Sequence, residues 1–156
     1  VRPFNVYGPG LRADDGRAVP SLVADALGGR NLVLHSDGRP RRSFCYVTDF
    51  MASLLRVIAR GADGEAYNVG DDREEISMRD LADRIRVVTH APGRVVVEPS
   101  IDPDYLTDNP QRRCPDLSKL RALGGSMPCV SLEDGLRRYA RWLAAENGRR
   151  PADEGS

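Results

Sequence analysis

Arginines concentrated in one short turn are the strongest candidates for chemistry in this sequence. Arg39, Arg41 and Arg42 surround Gly38 and Pro40, between two apolar segments that each read as a strand. A guanidinium group presents its donors as a fixed fork that matches the oxygens of a phosphate group. The turn therefore predicts an anion site. The competing interpretation is a solvated, charged loop that contributes little to stability.

Two further arginine segments have the same two interpretations. Arg112 and Arg113 lie in residues 100–115, a proline-containing segment with little periodicity that we expect to be irregular. Irregular segments of this length are uncommon and often functional. The sequence DDGR at residues 14–17 predicts a tight turn from which Arg17 could point inward.

Other residue types that often carry chemistry lack suitable neighbours. His35 and His90 lie far apart without a partner at metal-ligand spacing, so we predict no metal site. Cys45 lies inside a predicted strand with no adjacent base, which is typical of a core residue. The cysteines show no CxxC spacing, which favours reduced thiols in a cytoplasmic protein. Gly61 and Gly64 precede a strand instead of opening a helix, unlike a dinucleotide-binding turn.

Helices and strands must alternate along the chain to position these arginines. Apolar periodicity and capping residues predict helices over residues 19–28, 49–60, 78–89 and 116–124, and a last helix capped by Ser131. Strands are predicted within residues 1–7, 31–35, 43–47, 65–70 and 94–99. In the second helix, we expect Phe50, Leu54, Leu55 and Ile58 to point into the core.

The fold class that this order predicts is mixed α/β. The strands are few and scattered, which is typical of small sheets and edge strands, not of a complete parallel sheet. The 156 residues carry 23 basic and 23 acidic side chains, so the balance argues against a nucleic-acid or membrane-surface partner. There is no apolar run long enough to span a bilayer.

Six segments occur in an order that is typical of one protein family. They are RPFNVYGPG, DDGRAVPSLVADAL, RRSFCYVTDF, AYNVG with EISMRDLADRI, DNPQRRCPDLSKLRALGG and PCVSLEDGLRRYARWL. Together they resemble the C-terminal half of the extended short-chain dehydrogenase/reductases that modify nucleotide sugars. Within that family, DGRAVPSLV, RSFCYV and DNPQRRCPD look most like the UDP-glucuronate decarboxylases.

The resemblance implies a C-terminal portion of an extended Rossmann-type protein, without the N-terminal half that binds NAD. Residues 1–146 would bind the nucleotide sugar, with residues 1–18 forming a late Rossmann strand and loop, and residues 147–156 a flexible tail. The family's catalytic Tyr-x-x-x-Lys pair has no match, because no tyrosine here is followed by lysine at that spacing. We therefore assign no catalytic residue, and we expect the chain alone to be inactive and to bind NAD weakly.

Seven positions match binding residues of the family. The resemblance implies that the substrate is bound by Asn5, Val33, Arg42 and Arg113, and the cofactor by Val6, Arg12 and Arg17. Arg42 and Arg113 would hold the diphosphate, and Val33 would pack on the base. His35 and Ser36 replace the family's usual Tyr-Gly, which alters the base pocket.

The implied substrate is a UDP- or dTDP-linked sugar, and the implied cofactor of the complete enzyme is NAD. NAD would oxidise C4 of the sugar, the carboxylate at C6 would leave as carbon dioxide, and the hydride would return. The alternatives are a 4,6-dehydratase, a 4-epimerase, or a non-catalytic module that binds nucleotide sugars. The chain is also a candidate homo-oligomer, because the exposed edge of its opening strand invites pairing with another chain.

Overall fold

A computed structural model describes residues 1–98, 110–124 and 128–149 of the chain. The helices are α1 (Ala18–Leu27), α2 (Val47–Arg60), α3 (Met78–Thr89), α4 (Ser118–Ala122) and α5 (Leu132–Arg149). The strands are β1 (Arg2–Pro3), β2 (Val6–Tyr7), β3 (Leu32–Leu34), β4 (Arg41–Arg42), β5 (Cys45–Tyr46), β6 (Asn68–Val69), β7 (Ile76–Ser77), β8 (Val95–Val97) and β9 (Arg112–Arg113).

The strands form several small sheets, which confirms the predicted fold class. Three parallel pairs join β1 to β6, β2 to β5 and β3 to β8. A mixed three-stranded sheet has the order β7-β4-β9, in which β4 runs antiparallel to β7 and parallel to β9. The predicted strands lie where expected but are shorter. Three strands were not predicted, namely β4, β7 and β9.

The opening segment changes sheet partner at Asn5. Its backbone φ of 42° lies in the left-handed region, which asparagine tolerates better than most residues. The Asn5 carbonyl accepts a hydrogen bond from the Cys45 amide at 3.2 Å, and its side-chain amide donates to the Ser43 carbonyl at 2.8 Å. Residues 2–3 therefore pair with β6, whereas residues 6–7 pair with β5.

The core is formed where α1, α3 and α5 pack on one another and on the short strands. Leu81 and Ile85 of α3 and Leu136 of α5 are fully buried. The α3 and α5 helices begin as predicted, because the Ser77 hydroxyl accepts from the Asp80 amide at 3.0 Å and the Ser131 hydroxyl from the Asp134 amide at 3.1 Å.

Helix α2 does not bury the face that we predicted. Leu55 and Ile58 are 60% and 72% exposed, so the expectation that they point into the core was wrong. Asp49 and Ser53 are buried instead. The Asp49 carboxylate accepts from the amides of Cys129 at 3.0 Å and Val130 at 2.9 Å, which turns the apolar face outward.

Replacing Leu55 and Ile58 together with glutamine is expected to leave the free energy of unfolding of the 156-residue chain within about 0.5 kcal/mol. The reason is that exposed side chains lose little burial when they become polar. The control is Leu81→Ala, which should cost about 2–5 kcal/mol, because Leu81 is fully buried. Urea unfolding of the variants measures both effects, and a large loss for the double variant would contradict the observed orientation of α2.

The two helices predicted after residue 115 are present, but their bounds differ from the prediction. Asp116 accepts from the Ser118 amide at 2.8 Å, but α4 covers only Ser118–Ala122. Helix α5 continues to Arg149, and residues 150–156 of the proposed tail lie outside the described residues. Most of the predicted irregular segment, residues 100–109, also lies outside them. Among the described helices, none combines the length and the apolar character that crossing a bilayer requires.

Candidate functional site

A cavity of about 590 Å³ lies between the N-terminal part of α1, strand β3 and the three-stranded sheet. Six of the seven predicted binding residues line it, namely Asn5, Val6, Arg17, Val33, Arg42 and Arg113. The exception is Arg12, which is exposed and forms an ion pair with Asp14 at 2.6 Å. The fold thus gathers side chains from five separate segments around one space.

The two arginines predicted to hold a diphosphate are neighbours in the sheet. Arg42 of β4 and Arg113 of β9 are register partners in a parallel pair. The Ser43 amide donates to the Arg113 carbonyl at 3.3 Å, which ties the two strands at this point. Register partners project from the same face of a sheet, and both arginines line the cavity. Two adjacent cationic forks are well suited to one diphosphate.

The environment of Arg42 differs from the predicted turn. Arg42 lies on a strand and is only 5% exposed, and its Nη1 donates to the Arg41 carbonyl at 2.8 Å. The interpretation of this residue as part of a solvated loop was therefore wrong. That interpretation suits Arg39, whose side chain is 87% exposed and pairs with Asp37 at 3.7 Å.

Two other lining residues carry charge that is already balanced. Arg17, at the start of α1, pairs with Asp15 at 3.1 Å. Asp25, farther along α1, pairs with Arg30 at 2.9 Å. Arg42 and Arg113 place two more positive charges in the cavity wall, on the side of the three-stranded sheet.

Strand β3 supplies the wall on which a nucleobase is expected to pack. Val33 is half-buried, and His35, two residues later, borders the cavity as well. Alternate residues of a strand share a face, so the apolar Val33 and the polar His35 ring are adjacent. The His35 Nδ1 atom lies 3.3 Å from the Glu98 carbonyl oxygen, which orients the ring. Such a wall combines an apolar surface with a polar edge.

Sequence reasoning missed several lining residues. Ser21 and Asp25 of α1, Phe44 before β5 and Met78 at the start of α3 all border the cavity. The sequence alone does not single out Phe44 and Met78, because an apolar side chain in a strand or helix gives no local indication of what it will contact. A possible signal for α1 was the pair Ser21 and Asp25, polar residues at helical spacing beside an apolar stripe.

The buried side chains of Tyr7, Tyr139 and Cys45 have structural roles. Tyr7 donates to the Leu132 carbonyl at 3.1 Å, and burial raises its pKa well above the ordinary value. Tyr139 donates to the Leu11 carbonyl at 3.0 Å, and burial raises its pKa to about 12. Burial likewise raises the pKa of the Cys45 thiol to about 12, so it is not an activated nucleophile.

Comparison with known proteins agrees with the fold. Residues 1–70 match the model of the NAD dependent epimerase/dehydratase family. UDP-glucuronic acid decarboxylase 3 from Arabidopsis thaliana is 36% identical over 139 residues, which are 87% of this chain and 38% of that protein. The chain therefore spans well under half the length of this relative.

Two solved structures have the same fold over nearly the whole chain. An epimerase from Methanothermobacter thermautotrophicus superposes with a TM-score of 0.83 at 30% identity, covering 94% of this chain and 43% of that one. UDP-glucuronic acid 4-epimerase from Bacillus cereus, solved with UDP-glucuronic acid and NAD, has a TM-score of 0.79 at 26% identity, covering 93% and 44%.

The predicted resemblance is thus confirmed by sequence and by fold. The matched family model includes Asn5, which lies between β1 and β2, Val6 of β2, and Arg42 of β4. The relatives extend the match to β9 and α5, beyond the end of that model. We conclude that this chain is similar, over most of its length, to members of the NAD dependent epimerase/dehydratase family, the extended short-chain dehydrogenase/reductases.

Proposed function

We propose that this chain is the substrate-binding portion of an NAD-dependent enzyme that decarboxylates UDP-glucuronate. The observation that carries the proposal is the in-register pair Arg42 and Arg113 at the wall of a cavity of about 590 Å³. Charge-assisted hydrogen bonds from two guanidinium groups would neutralise one diphosphate and orient the sugar attached to it. The decarboxylase relative supports the reaction, and the Bacillus cereus structure supports the ligand class.

The other lining residues suit the remaining parts of a nucleotide sugar. We assign the base to the wall formed by Val33 and His35, and the sugar to the region near Asn5, whose side-chain amide is held by the Ser43 carbonyl. Val6 and Arg17 face the same space and are the residues of this chain proposed to touch NAD. NAD, when bound, supplies the reversible oxidation at C4 of the sugar. We keep Arg12 as a cofactor residue only as a weaker proposal, because it does not border the cavity.

The surfaces left uncovered in the described residues agree with a role as one portion of a larger enzyme. Parallel sheets are normally covered by helices on both faces, yet β1 and β6 form only a two-stranded parallel pair. The apolar face of α2, with Met51, Leu55 and Ile58, is exposed beside them. We propose that an α/β unit that binds NAD packs on this side, and that the complete protein is cytoplasmic.

Isothermal titration calorimetry on the 156-residue chain tests the binding function. We expect UDP to bind, UMP to bind about tenfold more weakly or worse because it lacks one phosphate, and NAD to show no binding in the micromolar range. The chain by itself should not release carbon dioxide from UDP-glucuronate. Equal affinities for UDP and UMP would contradict the diphosphate assignment. Micromolar NAD binding would contradict the proposal that NAD is bound mainly by another portion of the enzyme.

The same cavity would also serve a 4-epimerase or a 4,6-dehydratase, and the solved relatives include epimerases. The products separate these possibilities. Incubating the complete protein with UDP-glucuronate and NAD should release carbon dioxide if the enzyme is a decarboxylase. Formation of the C4 epimer without carbon dioxide would favour the epimerase instead.

A further inference from the structure

The outer face of the three-stranded sheet contains a second arginine pair that a carboxylate neutralises. Arg41 of β4 and Arg112 of β9 are register partners, directly preceding Arg42 and Arg113. Glu75, just before β7, accepts from Arg112 Nε at 3.0 Å and Nη2 at 2.8 Å. Its carboxylate also lies 3.3 Å from Arg41 Nε, and its carbonyl accepts from Arg41 Nη2 at 2.6 Å.

Glu75 therefore connects all three strands of this sheet. Glu75 lies just before β7, and its carboxylate forms ion pairs with Arg41 of the central strand β4 and with Arg112 of the far strand β9. The hydrogen bond from Arg112 holds the pKa of the Glu75 carboxyl below its ordinary value, so the carboxylate is charged at neutral pH. Like charges on directly paired residues repel, and this carboxylate offsets that repulsion on the outer face.

The inner face of the sheet contains the other register pair of arginines, Arg42 and Arg113. Side chains alternate between the faces of a strand, so Arg42 and Arg113 project opposite to Arg41 and Arg112. Ile76, the register partner of Arg42 on β7, shares the inner face, whereas Glu75 lies on the outer one. The proposed diphosphate would thus play the same part on the inner face that Glu75 plays on the outer face.

We propose that Glu75 is a positioning residue for the diphosphate site. By clamping Arg112 and Arg41, it fixes β9 in register with β4 and so places Arg113 beside Arg42. This inference rests on the proposed function, because it assigns Glu75 to the same site. Two backbone hydrogen bonds report the register directly, from the Arg41 amide to the Gln111 carbonyl at 2.8 Å and from the Ser43 amide to the Arg113 carbonyl at 3.3 Å.

The proposal and simple electrostatics predict opposite changes in UDP affinity when the charge of Glu75 is removed. Removing a negative charge near an anion site should strengthen binding of UDP if only long-range charge matters. If Glu75 acts by positioning, its removal should weaken UDP binding instead, because β9 then shifts and Arg113 no longer converges with Arg42. Glu75→Gln is suitable because it keeps the size of the side chain and removes the charge.

The experiment measures UDP affinity by calorimetry on the complete protein and four variants. We expect Glu75→Gln to weaken UDP binding about three- to tenfold. The double variant Glu75→Gln with Arg112→Gln should recover most of that loss, because it also removes the repulsion between Arg41 and Arg112. In an Arg113→Ala background, adding Glu75→Gln should change the affinity little, since the residue to be positioned is already absent.

Amide hydrogen exchange gives a readout that does not depend on UDP. The amides of Arg41 and Ser43 should lose protection in Glu75→Gln, while those of Leu81 and Ile85 in α3 keep theirs. Unchanged protection at Arg41 and Ser43, or tighter UDP binding by Glu75→Gln, would overturn the proposal. If the unaltered protein fails to bind UDP, the proposed function fails, and hydrogen exchange still decides whether Glu75 fixes the register.

Discussion

Replacing Gly135 with alanine is expected to lower the free energy of unfolding by about 2–4 kcal/mol. A Cβ atom at this position would lie 2.0 Å from the Tyr7 hydroxyl oxygen and 3.0 Å from Tyr46 Cδ2. Tyr7 is 2% exposed, and its hydroxyl donates to the Leu132 carbonyl of the same helix, so it has no free space to move into. The overlap outweighs the gain of about 1 kcal/mol that alanine brings to a helix interior.

A matched control lies in the same helix. At Gly148, an added Cβ would meet nothing within 4 Å, so Gly148→Ala should be neutral or slightly stabilising. Adding Tyr7→Phe to Gly135→Ala should recover part of the loss, because it removes the atom that the methyl group meets first. Thermal and urea unfolding of the variants measure these effects. Equal stability of the Gly135 and Gly148 variants would show that Tyr7 does not pack against α5 as described.

Replacing Arg113 with alanine is expected to weaken UDP binding roughly ten- to a hundredfold, which corresponds to about 1.5–3 kcal/mol. The physical reason is the loss of one of the two adjacent guanidinium groups that we propose to bind the diphosphate. Arg113 is exposed, so the same change should leave the free energy of unfolding nearly unaltered. Equilibrium binding of UDP, together with urea unfolding, separates the two effects.

Arg42 should behave differently from Arg113 because it is buried. Arg42→Ala should weaken UDP binding to a similar extent, but it should also destabilise the protein, since it empties a packed position. Arg42→Lys should recover only part of the affinity, because lysine keeps the charge without the bidentate fork. The control is Arg39→Ala, an exposed arginine outside the cavity, which should bind UDP normally. Affinities that agree for all these variants would contradict the diphosphate assignment.

Short stretches of the sequence were enough to predict most helices and to propose residues that the fold brings to one cavity. The apolar spacing of residues 78–89 and the capping hydroxyl of Ser77 predicted α3 with its observed bounds. The order of the motifs, above all RPFNVYGPG and RSFCYV, indicated the family and with it six of the residues that line the cavity. Both kinds of information reside in short stretches of chain, because helix periodicity and caps depend on residues that are close in sequence.

Local signals failed where an element is held by distant partners. Strand β4 and strand β9 are two residues long, and no periodicity can reveal them. Their pairing joins segments about 70 residues apart in the sequence, so it could be recognised only from the tertiary structure. Helix α2 shows the same limit, since its strong apolar stripe predicted burial, whereas Asp49 is bound by the amides of Cys129 and Val130.

The sequence by itself determined the family, the mixed α/β class and the candidate arginines, because these depend on residue types and local spacing. The tertiary structure alone decided that Arg42 is buried, that it lies in register with Arg113, and that Arg12 stays outside the cavity. It also decided that Gly135 must lack a side chain, since that requirement comes from Tyr7 at the other end of the chain. The physical reason is that these features depend on how distant segments are arranged in the folded state, and residues that meet only there leave no local pattern in either segment.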